Sequence, residues 1–181
     1  MATDISTTIG VTITSTPSKT TVAAAPAGST SRESVTTDSY TETNTETYDF
    51  GAGANKAKGH FHGTWSCGSA AQVVFDVNAA INDALGDQIV ATEIKAIYLH
   101  NVSTTTGDLL EVLGDAAAGG ITTRFTLAAT DAVNLHPDGV LLLTSPIDGF
   151  AVAAGATDEI EIDNNTGGAI SFEIFVLYEH A

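Results

Sequence analysis

The sequence predicts an all-β protein: an antiparallel, jelly-roll-like β-sandwich with one short helical turn and an extended N-terminal arm. Three observations carry this. Short stretches rich in β-branched and aromatic residues recur at intervals of about eight to twelve residues, with Gly, Asn, Asp or Pro between them. The segment AISFEIFVLYE alternates cleanly, with Ile170, Phe172, Ile174, Val176 and Tyr178 on one face. The opening residues are Ser, Thr and Ala with hardly any large apolar side chain. Such a segment cannot bury enough surface to offset the entropy of ordering it. The chain therefore divides into an arm over residues 1–40 and a sandwich over 41–181.

In the arm, Pro17 and Pro26 interrupt the chain, and Val11, Ile13 and Val22 are isolated apolar points. TETNTETYDFG alternates Thr with polar residues up to Phe50 and reads as a first strand, closed by a turn at Gly51, Gly53 and Asn55. GHFHGTWSCG over 59–68 and AAQVVFDV over 70–77 read as two short strands. NAAINDALG over 78–86 is the one helical stretch: Asn78 caps it, Ile81 and Leu85 share a face, and Gly86 stops it.

From Glu93 the pattern is β throughout. In EIKAIYLHNV, Ile94, Ala96, Tyr98, His100 and Val102 fall on one face and Ile97 and Leu99 on the other, as in a central strand. STTTGD turns into the strand LLEVLGD, AAAGG breaks it, and ITTRFTL follows. Pro137-Asp138-Gly139 turns into VLLLTSP; GFAVAA is short; DEIEID points Ile160 and Ile162 inward and its acids outward; NNTGG turns into the last strand.

Six Lys and Arg against 22 Asp and Glu give a formal charge of −16, which repels nucleic-acid phosphates and favours basic or cation-bearing neighbours. Cys67 is the single cysteine, so no intrachain disulfide forms and a cysteine-based zinc site is excluded. The N-terminus lacks a basic start followed by an apolar core, and no apolar run approaches the roughly 18 residues of a membrane span. These features predict synthesis in the cytoplasm and use without processing.

Each candidate for chemistry has a plainer reading that the sequence favours. His60 and His62 share one side of a strand and could share a metal, but no third ligand is placed; a solvent-facing strand suffices. Asp158, Glu159, Glu161 and Asp163 form an acidic ladder without the spacing and bend glycine of a calcium loop, which fits a solvated sheet face. Cys67 beside Trp65 lacks a nucleophile's signature and reads as core. GAGAN at 51–55 lacks the lysine and glycine spacing of a phosphate loop and reads as a turn. Trp65 with Phe61 and His60 could offer a sugar-stacking platform, although core packing is the simpler use of the first two. No catalytic, cofactor-binding or metal residue is assigned, and no enzymatic activity is expected.

From about Tyr48 onward the order of motifs resembles a family of small, β-rich tailed-bacteriophage structural proteins found among head and tail morphogenesis proteins. The residues that carry the resemblance are TETYDFGAGANKAKGHFHGTW, VVFDVNAAINDALGDQI, EIKAIYLHNVSTTTGDLLEVLGD and LHPDGVLLLTSPIDGFAVAAGATDEIEIDNNTGGAISFEIFVLYEHA. The resemblance covers about three quarters of the chain and rests on turns and strands, so it carries over no site residues. It implies a jelly-roll-like virion protein that decorates or cements a capsid. The implied partners are the major capsid protein and copies of itself in a homotrimer or other ring, with no direct nucleic acid and no membrane. The alternative is a receptor- or glycan-binding module on a head or tail fibre.

Overall fold

The structure is a computed structural model that describes residues 6–15, 18–22, 32–36, 40–79, 81–83, 86–113, 132–155 and 158–180. The chain forms two compact units, one made of Thr7–Thr47 and the other essentially of Tyr48–Ala181. In chain order the strands are β1 (Ser6–Ser15), β2 (Ser18–Val22), β3 (Arg32–Thr36), β4 (Tyr40–Phe50), β5 (Lys56–Ala57), β6 (Gly59–Cys67) and β7 (Ala71–Asp76). They continue with β8 (Ala91–Asn101), β9 (Leu110–Leu113), β10 (Ala132–Leu135), β11 (Val140–Thr144), β12 (Phe150–Ala151), β13 (Glu159–Asn164) and β14 (Ile170–His180). Among the described residues there is no helix, so the protein is all-β. The strand expected at ITTRFTL lies outside the described residues.

The body is built from two antiparallel sheets. One runs β10-β9-β13-β7; the other runs β11-β8-β14-β6, with β12 also paired to β8. Each sheet turns one face to a shared core. Phe75, Leu110, Val112, Leu135, Ile160 and Ile162 come from the first sheet, and Phe61, Cys67, Ile97, Leu99 and the β14 series Ile170, Phe172, Ile174, Val176 and Tyr178 from the second. Phe75 and Phe172 meet edge-on across the layers, with ring centroids 6.0 Å apart. The period-two pattern of the last strand is thus the pattern of its burial, and β14 sits between β8 and β6 as the centre of its sheet.

One strand breaks the expected alternation. Against β14, Val176 faces Ile97 but Tyr178 faces Ile94, so β8 carries an extra residue at Lys95. This bulge puts Ile94 on the core side with Ile97 and Leu99, and leaves Ala96, Tyr98 and His100 on the outer side. Simple alternation groups Ile94 with the outer set, and the bulge corrects that.

The helical turn expected over 78–86 is replaced by local polar turns in the described part of that stretch. The Asp76 carboxylate accepts from the N–H groups of Asn78 (2.8 Å) and Ala79 (3.0 Å), an Asx turn that ends β7. Asn78 uses its own side chain to donate to the carbonyl of Ala91 rather than to cap a helix. Asn82 and Gln88 then pair as an antiparallel bridge around Gly86, whose φ is 89°. Burial, followed by the Asp83 carboxylate beside it, pushes the Tyr178 phenol up to about 12.

Two buried asparagines order the loops. Asn164 donates to the carbonyls of Cys67 and Gly168 and accepts from Thr166, closing the turn into β14. Asn101 donates to the carbonyls of Asp108 and Leu135 and accepts from Ser103. Each amide satisfies backbone groups that a loop would otherwise leave unpaired.

The smaller unit contains two pairings. β2 and β3 form an antiparallel ribbon from Ser18↔Thr36 to Val22↔Arg32. β1 lies beside β4, and the last residues of β4 pair in parallel with β5, Asp49 with Lys56 and Phe50 with Ala57. None of the described side chains of Thr7–Thr47 is buried.

Candidate interaction surfaces

The strongest cluster of functional side chains lies on the outer face of the β11-β8-β14-β6 sheet. Register alone builds it. Phe175 of β14 stands opposite His62 of β6 and Tyr98 of β8, and Tyr98 stands opposite Leu142 of β11. The next row is Thr64, Glu173, His100 and Val140. His60 and His62 do share one side of β6, as their spacing predicts, and their rings stack at 5.5 Å. His60 also stacks on Phe175 at 5.9 Å. Between the rows lies an open cleft of about 290 Å³, lined by His62, Gly63, Thr64, Tyr98, Glu173, Ile174 and Phe175.

His100 is held by two carboxylates. Its Nε2 is 3.2 Å from Asp138 and its Nδ1 3.3 Å from Glu173. The hydrogen bond to the Asp138 carboxylate is the largest influence, and with Glu173 it raises the imidazole above its ordinary value against the opposing effect of burial. The Tyr98 phenol is also raised, first by burial and then by Glu173 and Asp138. The face therefore combines ring surfaces, an imidazole held between two carboxylates and a hydroxyl. These groups offer stacking surface and hydrogen-bond donors and acceptors to a ligand. Among the described residues no three His, Cys, Asp or Glu side chains converge on a metal position.

The other sequence candidates are placed as follows. Ile160 and Ile162 point into the core, each 1% exposed, while Glu159, Glu161 and Asp163 line the opposite side of β13. Asp158 departs from the ladder: it is buried and accepts from the N–H of Gly155 at 2.6 Å. Gln72 donates to Glu161, and Asp163 stands opposite Gln72 on β7 and Glu111 on β9. Burial first, and Glu111 more weakly, raise the Asp163 carboxyl against a hydrogen bond from Gln72. Cys67 is fully buried, donates to the carbonyl of Ala71 at 3.1 Å, and has its thiol pushed up chiefly by burial. That environment suppresses thiolate and suits core filling.

The platform of Trp65, Phe61 and His60 is not assembled. Phe61 and Trp65 pack on each other at 5.0 Å and on Phe75, on the core side of β6, while His60 points to the other side. The GAGAN stretch is a turn fastened to the body: the N–H of Gly53 donates to Glu179 at 3.1 Å, and that of Asn55 to the carbonyl of Pro146 at 2.7 Å. Sequence reasoning missed Lys95. It is fully buried at the bulge, with Nζ 2.6 Å from Glu93 and 3.5 Å from Glu179. A lysine inside the apolar run of EIKAIYL is the signal that could have found it.

Beyond the body, the ribbon of β1 and β4 offers Val11 and Ile13, 41% and 56% exposed. The side chain of Val22 is outside those described. Compared with known proteins, the chain matches no family model and no curated sequence.

Proposed function

We propose that this chain is a structural virion protein that decorates or cements the capsid of a tailed bacteriophage, using its N-terminal arm to contact neighbouring subunits. One observation carries the reading: a body with its own two-sheet core is joined to a unit, Thr7–Thr47, in which no described side chain is buried. Isolated two-stranded ribbons are marginal in water, so such a unit gains its order by covering another surface. Repeated over a lattice, many weak arm contacts cement through avidity. The partners in this reading are the major capsid protein and further copies of the chain, and the reading assigns no catalysis.

Strand order supports a jelly roll as the form of the body. Among the described strands, leaving aside the two-residue β5 and β12, the first body strand β6 neighbours the last, β14, which neighbours the third and through it the sixth. In the facing sheet the second strand neighbours the seventh, then the fourth and fifth. That interleaving is what two nested Greek keys produce, and it is common among capsid proteins.

Deleting residues 1–40 tests the proposal. The expected result is a folded, soluble protein that no longer binds expanded capsids; equal affinity with and without the arm would refute it. A second reading, a glycan-binding module, is favoured by the row His62, Phe175 and Tyr98 beside Glu173 and His100, since sugars stack on rings and bond to carboxylates and imidazoles. A glycan array with no binding, or binding unchanged in Phe175→Ala, removes that reading.

A further inference from the structure

We infer that β1 is a self-pairing strand: it adds antiparallel to β1 of a second copy of this chain, with Val11 on the two-fold axis. The inference rests on the reading of the arm as a docking element and goes further by naming its occupant.

The first ground is the edge. In the order β1-β4-β5, β1 is terminal, so among the described strands it is paired on one side only. Exposed edges are normally blocked by charge, proline or a bulge. Ser6–Ser15, STTIGVTITS, has neither charge nor proline over its ten residues. It is the longest of the described strands to lack a charged side chain.

The second ground is charge. Two copies at −16 each repel one another, so a stable contact between them needs a seam where charge is missing. β4, with Glu42, Glu46 and Asp49, cannot supply it, and neither can the acid-lined β13. β1 can. In a β4-β1-β1-β4 sheet the glutamates stay on the outer strands.

The third ground is the pattern. Thr12 Oγ1 lies 3.4 Å from Thr43 Oγ1, and a Cβ placed on Gly10 would stand 3.7 Å from Thr45 Oγ1. These contacts run in opposite directions along the two strands, so β1 and β4 are antiparallel. They put Thr8, Gly10, Thr12 and Thr14 on one face with Thr41, Thr43, Thr45 and Thr47. Ile9, Val11 and Ile13 then share the other face. Directly opposed residues share a face, so a two-fold pair must centre on a residue. Centring on Val11 sets Ile9 against the partner subunit's Ile13 and joins both apolar rows into one stripe. Centring on Gly10 sets Ile13 against threonine instead. The result is an isologous interface, which builds a dimer, where the resemblance implied a homotrimer or other ring.

The experiment uses the full chain. Light scattering across concentration should give a dimer whose fraction rises with salt, because screening weakens the repulsion. Val11→Lys should abolish the dimer while the thermal unfolding of the body stays unchanged. Val11→Cys should crosslink to its mate under a short bis-maleimide, and Thr14→Cys, far from the axis, should not. A monomer at every concentration, a dimer that survives Val11→Lys, or equal crosslinking at both positions overturns the inference. A monomer that still needs residues 1–40 to bind capsids would sink the self-pairing and leave the capsid reading standing. A β1 dimer indifferent to capsids would do the reverse.

Discussion

Lys95 Nζ lies 2.6 Å from Oε2 of Glu93, and the lysine that makes this contact is fully buried. Glu179 stands 3.5 Å from the same nitrogen and also accepts from the N–H of Gly53. The bulge in β8 therefore places a cation where it joins β8, β14 and the 51–55 turn. Removing the cation leaves two carboxylates facing each other, of which Glu179 is 14% exposed and Glu93 35%. Loss of one partner of a buried pair costs about 3–5 kcal/mol, and the partial exposure of Glu93 puts Lys95→Ala near the lower figure. Urea unfolding checks this. Lys95→Met combined with Glu93→Gln and Glu179→Gln should recover most of the loss, since no charge then remains unpaired. A Lys95→Ala protein within about 0.5 kcal/mol of the parent would remove the cluster from the account.

Gly63 has a different constraint. A Cβ built on it would stand 2.3 Å from the Trp65 indole, which packs on Phe61 and Phe75. The ring cannot retreat without disturbing the core, so Gly63→Ala should destabilise by about 1–3 kcal/mol. Trp65 is the single tryptophan, so its fluorescence reports the displacement directly. An unshifted emission maximum together with unchanged stability would mean the indole has room that the structure does not give it.

What could be read in advance follows from range. Ile170 to Tyr178 and Ile160 with Ile162 declared their faces because alternation is local and burial on one side enforces it. The bulge at Lys95 could not be read from β8 alone, because a bulge exists only in the count of residues against β14. The turns at Asn78 and Asn82 escaped because their partners are remote: the Asn78 amide donates to the carbonyl of Ala91, and Asn82 bridges to Gln88. The site was legible only in part. His60 and His62 were paired by spacing, but their neighbours Phe175 and Tyr98 arrive by register from strands far away in sequence.

His100 makes the outer face sensitive to pH. Asp138 first, then Glu173, raise its pKa in the folded protein above the ordinary 6.5 that it has when unfolded. The imidazolium contributes stability that is complete below about pH 6.5 and is lost as pH rises through the higher folded value. Asp138 is 79% exposed and Glu173 49%, so solvent screening limits the contribution to about 1 kcal/mol or less. Stability should therefore decline from weakly acidic to mildly alkaline pH, and His100→Gln should flatten that part of the profile. A titration of the His100 ring by NMR with a midpoint at or below 6.5 would contradict the clamp.

Asp163 gives the opposite kind of test, in which a substitution should strengthen the fold. It stands opposite Glu111 across β13 and β9, and among the described residues its Oδ1 is buried without a hydrogen-bond partner. Burial first and Glu111 after it raise its pKa above the ordinary 3.8, with Gln72 pulling the other way. The folded state thus holds this proton more tightly than the unfolded state. Stability from this group is greatest below 3.8 and falls as pH climbs through the folded value, so at neutral pH the ionised carboxylate is a net cost. Asp163→Asn keeps the shape and a group for Gln72, and it removes the like-charge pair, which is worth about 0.2–1 kcal/mol. The variant should be more stable than the parent at pH 7, and the two should converge as pH drops below 3.8. Calorimetry at both pH values decides the matter. An advantage that persisted unchanged in acid would place its origin in packing rather than charge, and a loss at pH 7 would mean the carboxylate is held by contacts stronger than Gln72 supplies.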